Sequence, residues 1–174
     1  MRKILDRVKD KYRKFLVDHY PKVIVDRIWL RIKGHKMIWN NPKDLNEKIQ
    51  WMKCMSDTSQ WSILTDKLRV RDYIESKGYA DTLPKIYGVW DSVDAIDYAK
   101  LPQKFVIKCN HDCGSYHIID KSFNPDFKEI NKDLNNSLKK KFGYNILCEP
   151  HYNKISPRIF AEEYLPLDNF WWGG

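Results

Sequence analysis

No apolar run in this 174-residue chain approaches the ~18 residues that a membrane-spanning helix needs. Its 7 glycines form neither a Walker A loop nor the G-x-G-x-x-G turn of a Rossmann unit. A G-x-S-x-G hydrolase elbow is absent, and so is a D-x-D pair of the kind that holds a nucleotide-sugar metal. The four cysteines (Cys54, Cys109, Cys113 and Cys148) do not make a disulfide scaffold at this length. The first ten residues are too charged for the apolar core of a secretory signal, so the expected compartment is the cytoplasm. Internal repeats and low-complexity tracts are lacking, and the composition excludes collagen, coiled-coil and mucin classes. What remains is a chain 43% hydrophobic and 31% charged, enough to bury the core of one ordinary domain.

The net charge of +8 is unevenly placed. Residues 1–53 hold 15 Lys+Arg against 6 Asp+Glu, and the rest of the chain is close to neutral. A uniformly basic nucleic-acid-binding domain has a different profile, so no nucleic-acid partner is expected. The local excess suits a docking surface for an anionic polymer, a membrane face or a partner.

Hydrophobic periodicity predicts a basic amphipathic helix over residues 2–20, with Leu5, Val8, Tyr12, Phe15 and Leu16 on its apolar stripe. A stripe of this kind usually faces a core, and that is the expectation here. Pro21 restarts the chain into a second apolar stretch that ends near Gly34. Asp44-Leu-Asn-Glu47 has capping-box spacing and opens a helix through Ile49, Met52 and Met55. A further helix is expected over 65–78, capped by Thr65-Asp66 and closed by Gly78. Ile86–Trp90 reads as a strand, and 91–99 as a helix.

Phe105-Val-Ile107 is a short apolar run between two lysines, as in a buried strand. It runs into Cys109-Asn-His-Asp-Cys-Gly-Ser115, and Ile118-Ile119 follows. This describes a hairpin whose tip is either ordinary surface or a phosphate cradle backed by a strand-end lysine. A polar helix over 125–141, a loop over 143–157 and a strand from Arg158 into Glu162-Glu163 complete the reading. Cys109, Cys113, Cys148 and His151 are ligands of the kinds that zinc takes, although small buried thiols are also common in cores. A Cys–His nucleophile built from near neighbours has poorer geometry still.

Several longer words occur in order: Asn41-Pro-Lys-Asp-Leu-Asn-Glu-Lys-Ile-Gln-Trp51, Thr65-Asp-Lys-Leu-Arg-Val-Arg-Asp-Tyr73 and Gly88-Val-Trp-Asp91. Leu101-Pro-x-Lys-Phe-Val-Ile-Lys-Cys-Asn-His111 and Pro157-Arg-Ile-Phe-Ala-Glu-Glu-Tyr-Leu165 follow. As a set over residues ~38–168 they resemble the TupA-like ATP-grasp family, whose members accompany bacterial capsule and exopolysaccharide genes and often carry a glycosyltransferase label. The resemblance implies an α+β fold. A basic helical segment (1–40) would precede an ATP-grasp-like part with a small mixed or antiparallel sheet (41–168) and an atypical tail (169–174).

The resemblance also implies a site. Lys108 would meet nucleotide phosphate, with Asn110, His111, Gly114 and Ser115 in the loop that closes over it. Glu162, Glu163 and Leu165 would form the hinge that reads adenine and ribose. Asp112, acidic beside phosphate, would have to point away or meet a metal. The implied cofactors are ATP and Mg2+, and the implied chemistry is activation of a carboxylate as an acyl phosphate for attack by an amine. The implied partner is a cell-surface polymer precursor, while the basic charge of the N-terminal segment, ahead of the resemblance, suggests an anionic polymer or a peripheral membrane contact through residues 1–36. In this family type the magnesium ligands follow the hinge, whereas this chain stops at Gly174 after an unmatched Phe170-Trp-Trp-Gly-Gly174. The expectation is therefore a shortened, frame-shifted or split member that binds ATP weakly or not at all and turns nothing over alone.

Overall fold

The computed structural model describes residues 2–144 and 148–166, and the side chains from Leu5 onward. The expected tail at 169–174 lies outside the described residues. The fold is α+β, with six α-helices and one four-stranded antiparallel sheet among the described residues. The chain divides into two compact units, Met1–Asp66 with Lys141–Ser156, and Lys67–Lys140 with Pro157–Gly174. The basic segment of 1–40 thus shares a unit with residues 41–66 and 141–156.

The first unit is helical, with α1 Arg2–His19, α2 Pro21–Lys33, α3 Leu45–Met55 and α4 Ser59–Leu64. Pro21 occupies the first turn of α2, where its missing N–H costs nothing and its ring presets φ. Gly34 ends the helix in the left-handed region (φ 79°), donating its N–H to the Leu30 carbonyl. Asp44 caps α3 by accepting from the Glu47 N–H at 2.8 Å. Glu47 reaches back one residue further than a standard box, to the Lys43 N–H at 2.6 Å.

The core of this unit gathers Leu16, Val17, Ile24, Val25, Trp29, Met37 and Cys148. Burying side chains of this size contributes about 1.5–3 kcal/mol each. The stripe expected to face this core does so only at its C-terminal end. Leu5, Val8, Tyr12 and Phe15 are each at least 50% exposed, and Ile49, Met52 and Met55 of α3 are exposed as well. Periodicity reports that one face is apolar, but not what that face meets.

Helix α4 has no counterpart in the sequence reading. The expected helix over 65–78 begins instead at Arg69, and Thr65 ends α4, its N–H and its hydroxyl both donating to the Trp61 carbonyl, at 2.9 and 2.6 Å. Residues 141–156 carry two 3₁₀ turns, Phe142–Tyr144 and Pro150–Lys154. Gly143 is required there, since a Cβ would sit 2.5 Å from the Glu149 carbonyl oxygen.

The second unit holds α5 Arg69–Ser76, β1 Ile86–Trp90, β2 Lys104–Cys109, β3 Tyr116–Asp120, α6 Phe127–Leu138 and β4 Ile159–Glu163. The residues 91–99 form two short 3₁₀ turns rather than a helix, each started by an Asx- or Ser-type cap at Ser92 and Asp97. The strand order is β1-β4-β2-β3, so the last of the described strands in sequence lies inside the sheet. Alternation sends Phe105, Ile107 and Cys109 of β2, with Ile119, Ile159 and Ala161, toward Ile130 and Leu134 of α6. Lys108, Val106, Phe160, Glu162, Ile118 and Tyr116 share the opposite face.

His151 is buried (4% exposed), its ring edge-on to Trp61 with centroids 5.4 Å apart, and burial lowers its pKa from the ordinary 6.5. The neutral ring is thus favoured in the folded state, and its contribution to stability is full above pH 6.5 and lost as pH falls below it. Thermal melts should show a Tm lower at pH 5.5 than at pH 7.5, with a smaller gap in His151→Gln. An equal gap in both proteins would refute the assignment.

Candidate functional site

The β2–β3 turn is held largely by hydrogen bonds to distant parts of the chain rather than left as open surface. Asn110, buried at the end of β2, donates its N–H to the Arg158 carbonyl at 3.0 Å and accepts the Arg158 N–H on its side chain at 2.7 Å. Its own carbonyl accepts the Lys67 N–H at 3.2 Å. His111 is buried, with Nε2 3.2 Å from the Lys140 carbonyl. Asp112 points inward too, at 3% exposure, and accepts the Ser115 hydroxyl. The turn is completed by Cys113 and Gly114, both exposed, with Gly114 at φ 88° where an L side chain would be strained.

Lys108 stands on the face of the sheet away from α6. Its ammonium pairs with the Glu162 carboxylate on the neighbouring strand and lies 5.4 Å from the centroid of the Phe160 ring. The two side chains are only 23% and 13% exposed, so removing either partner leaves a half-buried charge uncompensated. Glu163, next along β4, turns to the other side. Its N–H donates to the Lys85 carbonyl at 2.8 Å, and its carboxylate accepts the Lys85 N–H at 3.3 Å. Leu165 follows the end of β4 and is exposed, beside a Tyr164 ring covered by the Lys104 ammonium at 4.1 Å.

Eight residues were expected to meet the nucleotide. Lys108 and Glu162 are brought together on one face, and Gly114 and Ser115 lie in the turn that follows Lys108's strand. Asn110 and His111 are buried and turn their side chains to the backbone of Arg158 and Lys140. Lys67 was overlooked. It donates through Nζ to the Asp112 carbonyl, and to that of Asn110 at 3.4 Å. Burial lowers its pKa, with Asp112 pulling the other way and Lys108 adding to the fall. Two cations thus flank the base of the turn. The signal was present in the word Thr65-Asp-Lys-Leu-Arg69, which spacing alone marks only as a helix start.

The four candidate zinc ligands are dispersed in role. Cys148 packs in the helical core, 4.0 Å from the Pro21 carbonyl, and Cys113 is exposed. Burial pushes the thiols of Cys54 and Cys109 up to about 11 and that of Cys148 to about 12. At pH 8 a thiol of pKa about 11 is ionised to roughly one part in a thousand. A disulfide-exchange reagent should therefore modify one thiol rapidly and three slowly, and Cys113→Ser should remove the rapid phase. A rapid phase of two or more equivalents would contradict this.

The profile described as TupA-like ATPgrasp matches residues 47–169, well over half of the chain. Neither the curated proteins nor the solved structures contain a significant match. The match covers most of α3, the whole sheet and the hairpin turn, and on its strength the chain belongs to the TupA-like ATP-grasp family.

Proposed function

We propose that the sheet face around Lys108 receives the polyphosphate of ATP, in a protein that serves ATP-dependent carboxylate–amine ligation during assembly of a bacterial cell-surface polysaccharide or related polymer. The observation that carries the reading is the Lys108–Glu162 pair on the face opposite α6, with Lys67 and the Gly114 turn at its end. A phosphate oxygen competes with Glu162 for the Lys108 ammonium, since both make charge-assisted bonds of similar strength. The carboxylate released by that exchange can accept a ribose hydroxyl. Lys67 already holds the turn by two carbonyls and adds positive potential without moving. ATP, bound as its magnesium complex, supplies the phosphoryl group that activates the carboxylate.

Titration of the isotope-labelled chain with MgATP should shift the amide resonances of Lys108, Gly114 and Glu162, a readout that registers even weak binding. Lys108→Ala should reduce those shifts at least tenfold at equal nucleotide concentration. Shifts confined to other residues would overturn the reading.

A second reading concerns α1 and has its own observation. Leu5, Val8, Tyr12 and Phe15 form one exposed apolar stripe on a helix that also carries Arg7, Lys9, Lys11, Arg13 and Lys14. We propose that this helix lies on an anionic lipid surface, apolar stripe inward, with its lysines and arginines at the headgroups. Among the described residues no helix is long and apolar enough to cross a membrane. Co-sedimentation with phosphatidylglycerol vesicles should exceed that with neutral vesicles and fall about tenfold in Tyr12→Ser/Phe15→Ser. Equal binding by that variant would sink the docking role, and Lys108→Ala should leave it unchanged.

A further inference from the structure

The hairpin turn has an underside as well as the face that carries Lys108. Cys109 projects from β2 toward α6. Its sulfur, a ring nitrogen of His111 and a carboxylate oxygen of Asp112 all lie within 4.8 Å of one another. The three residues are 0%, 2% and 3% exposed.

The histidine is set up in an unusual way. The Lys140 carbonyl beside Nε2 can only accept, so Nε2 carries the proton and Nδ1 carries the lone pair. Nδ1 is buried and has no hydrogen-bond partner. A buried acceptor without a donor is costly, and native structures rarely keep one without a use. An N–H donated to a backbone carbonyl from the far side of the ring is also how metal-ligating histidines are held.

We propose that Cys109, His111 and Asp112 form a binding site for a divalent cation of the zinc class, which takes up the Nδ1 lone pair. The mixed S, N and O donor set favours zinc over magnesium or calcium, which prefer oxygen alone. A thiolate and a carboxylate balance the two charges of the ion. Binding forms the metal–sulfur bond, breaks the S–H bond and releases that proton to solvent. Ser115, whose hydroxyl already bonds Asp112, stands where it can steer the carboxylate toward the ion. A cleft of about 540 Å³ adjoins the turn and is lined by Ser115 and Lys140, the hydrogen-bond partners of Asp112 and His111. The Lys67 ammonium at the Asp112 carbonyl is an opposing charge, so both anionic ligands are needed.

The ion would brace the turn from the side away from Lys108, and the inference stands without the ATP reading. The probe is Co2+ added to the metal-free native chain without nucleotide, followed by displacement with Zn2+. One equivalent should bind, with a sulfur-to-cobalt charge-transfer band in the near ultraviolet. Cys109→Ser should abolish the band and His111→Gln should weaken binding at least tenfold, whereas Cys54→Ser and Cys113→Ser should keep both. Both ligand variants remove buried side chains, so X-ray absorption on the zinc-loaded native chain gives a reading free of folding effects. Its first shell should hold one sulfur with nitrogen and oxygen neighbours. Absence of stoichiometric metal, a shell with no sulfur or with two, or a band that survives Cys109→Ser would overturn the site. Lys108→Ala should leave the cobalt band unchanged whatever it does to nucleotide binding.

Discussion

The pairing of β2 with β4 is the constraint on which the second unit depends. Its register sets Phe105 against Glu163, Ile107 against Ala161 and Cys109 against Ile159. The same register puts Lys108 and Glu162 on the opposite face, close enough for an ion pair. A slip of one residue would send Phe105 and Ile107 away from α6 and turn Lys108 into the apolar core. The buried face therefore enforces the geometry of the charged one. The large side chains at zero exposure, Phe105, Ile107, Phe160 and Ile159, make any slip expensive.

The turn after β2 inherits its rigidity from the same pairing. Asn110 closes the end of the β2–β4 ladder with two bonds to Arg158, and only a chain in this register can make both. With Asn110 fixed, His111 and Asp112 are carried inward and Gly114 outward. The turn thus has two chemically different sides only a few residues apart. One presents cations beside a carboxylate, and the other collects a thiol, an imidazole and a second carboxylate out of water. The family match covers the sequence of both sides.

Much of this was legible in the sequence where a local signal coincides with its own physical cause. Phe105-Val-Ile107 is a buried strand because every second residue has an apolar partner. Asp44 caps a helix through a bond to a residue three positions away, so spacing suffices. The exposed stripe of α1 was not legible, because amphipathic spacing looks the same whether the apolar side meets a core or solvent. Helix α4 was missed for a related reason. Its six residues depend on tertiary bonds, such as the Ser62 hydroxyl to the His151 carbonyl at 2.9 Å, from the far end of the chain. Lys67 was visible as a letter in a motif, but its contact with Asp112 spans 45 positions and leaves no periodic trace. The pairing of Lys108 with Glu162 was hidden in the same way, since each residue had been read as a ligand of the nucleotide and not of the other.

The order of strands carries a consequence for how the protein is made. Strand β1 and strand β2 never touch through hydrogen bonds; β4 lies between them. Before β4 is synthesised the ribosome has already delivered α6 and the whole of residues 141–156, which belong to the other unit. Until then β1 has no strand beside it, and the β2–β3 hairpin presents an open edge. Sheet closure is thus a late, long-range event, slow by the entropy of the chain that it must span. The nascent protein carries two sticky edges for that interval, and it needs either rapid completion or shielding by a chaperone to avoid pairing with a second copy.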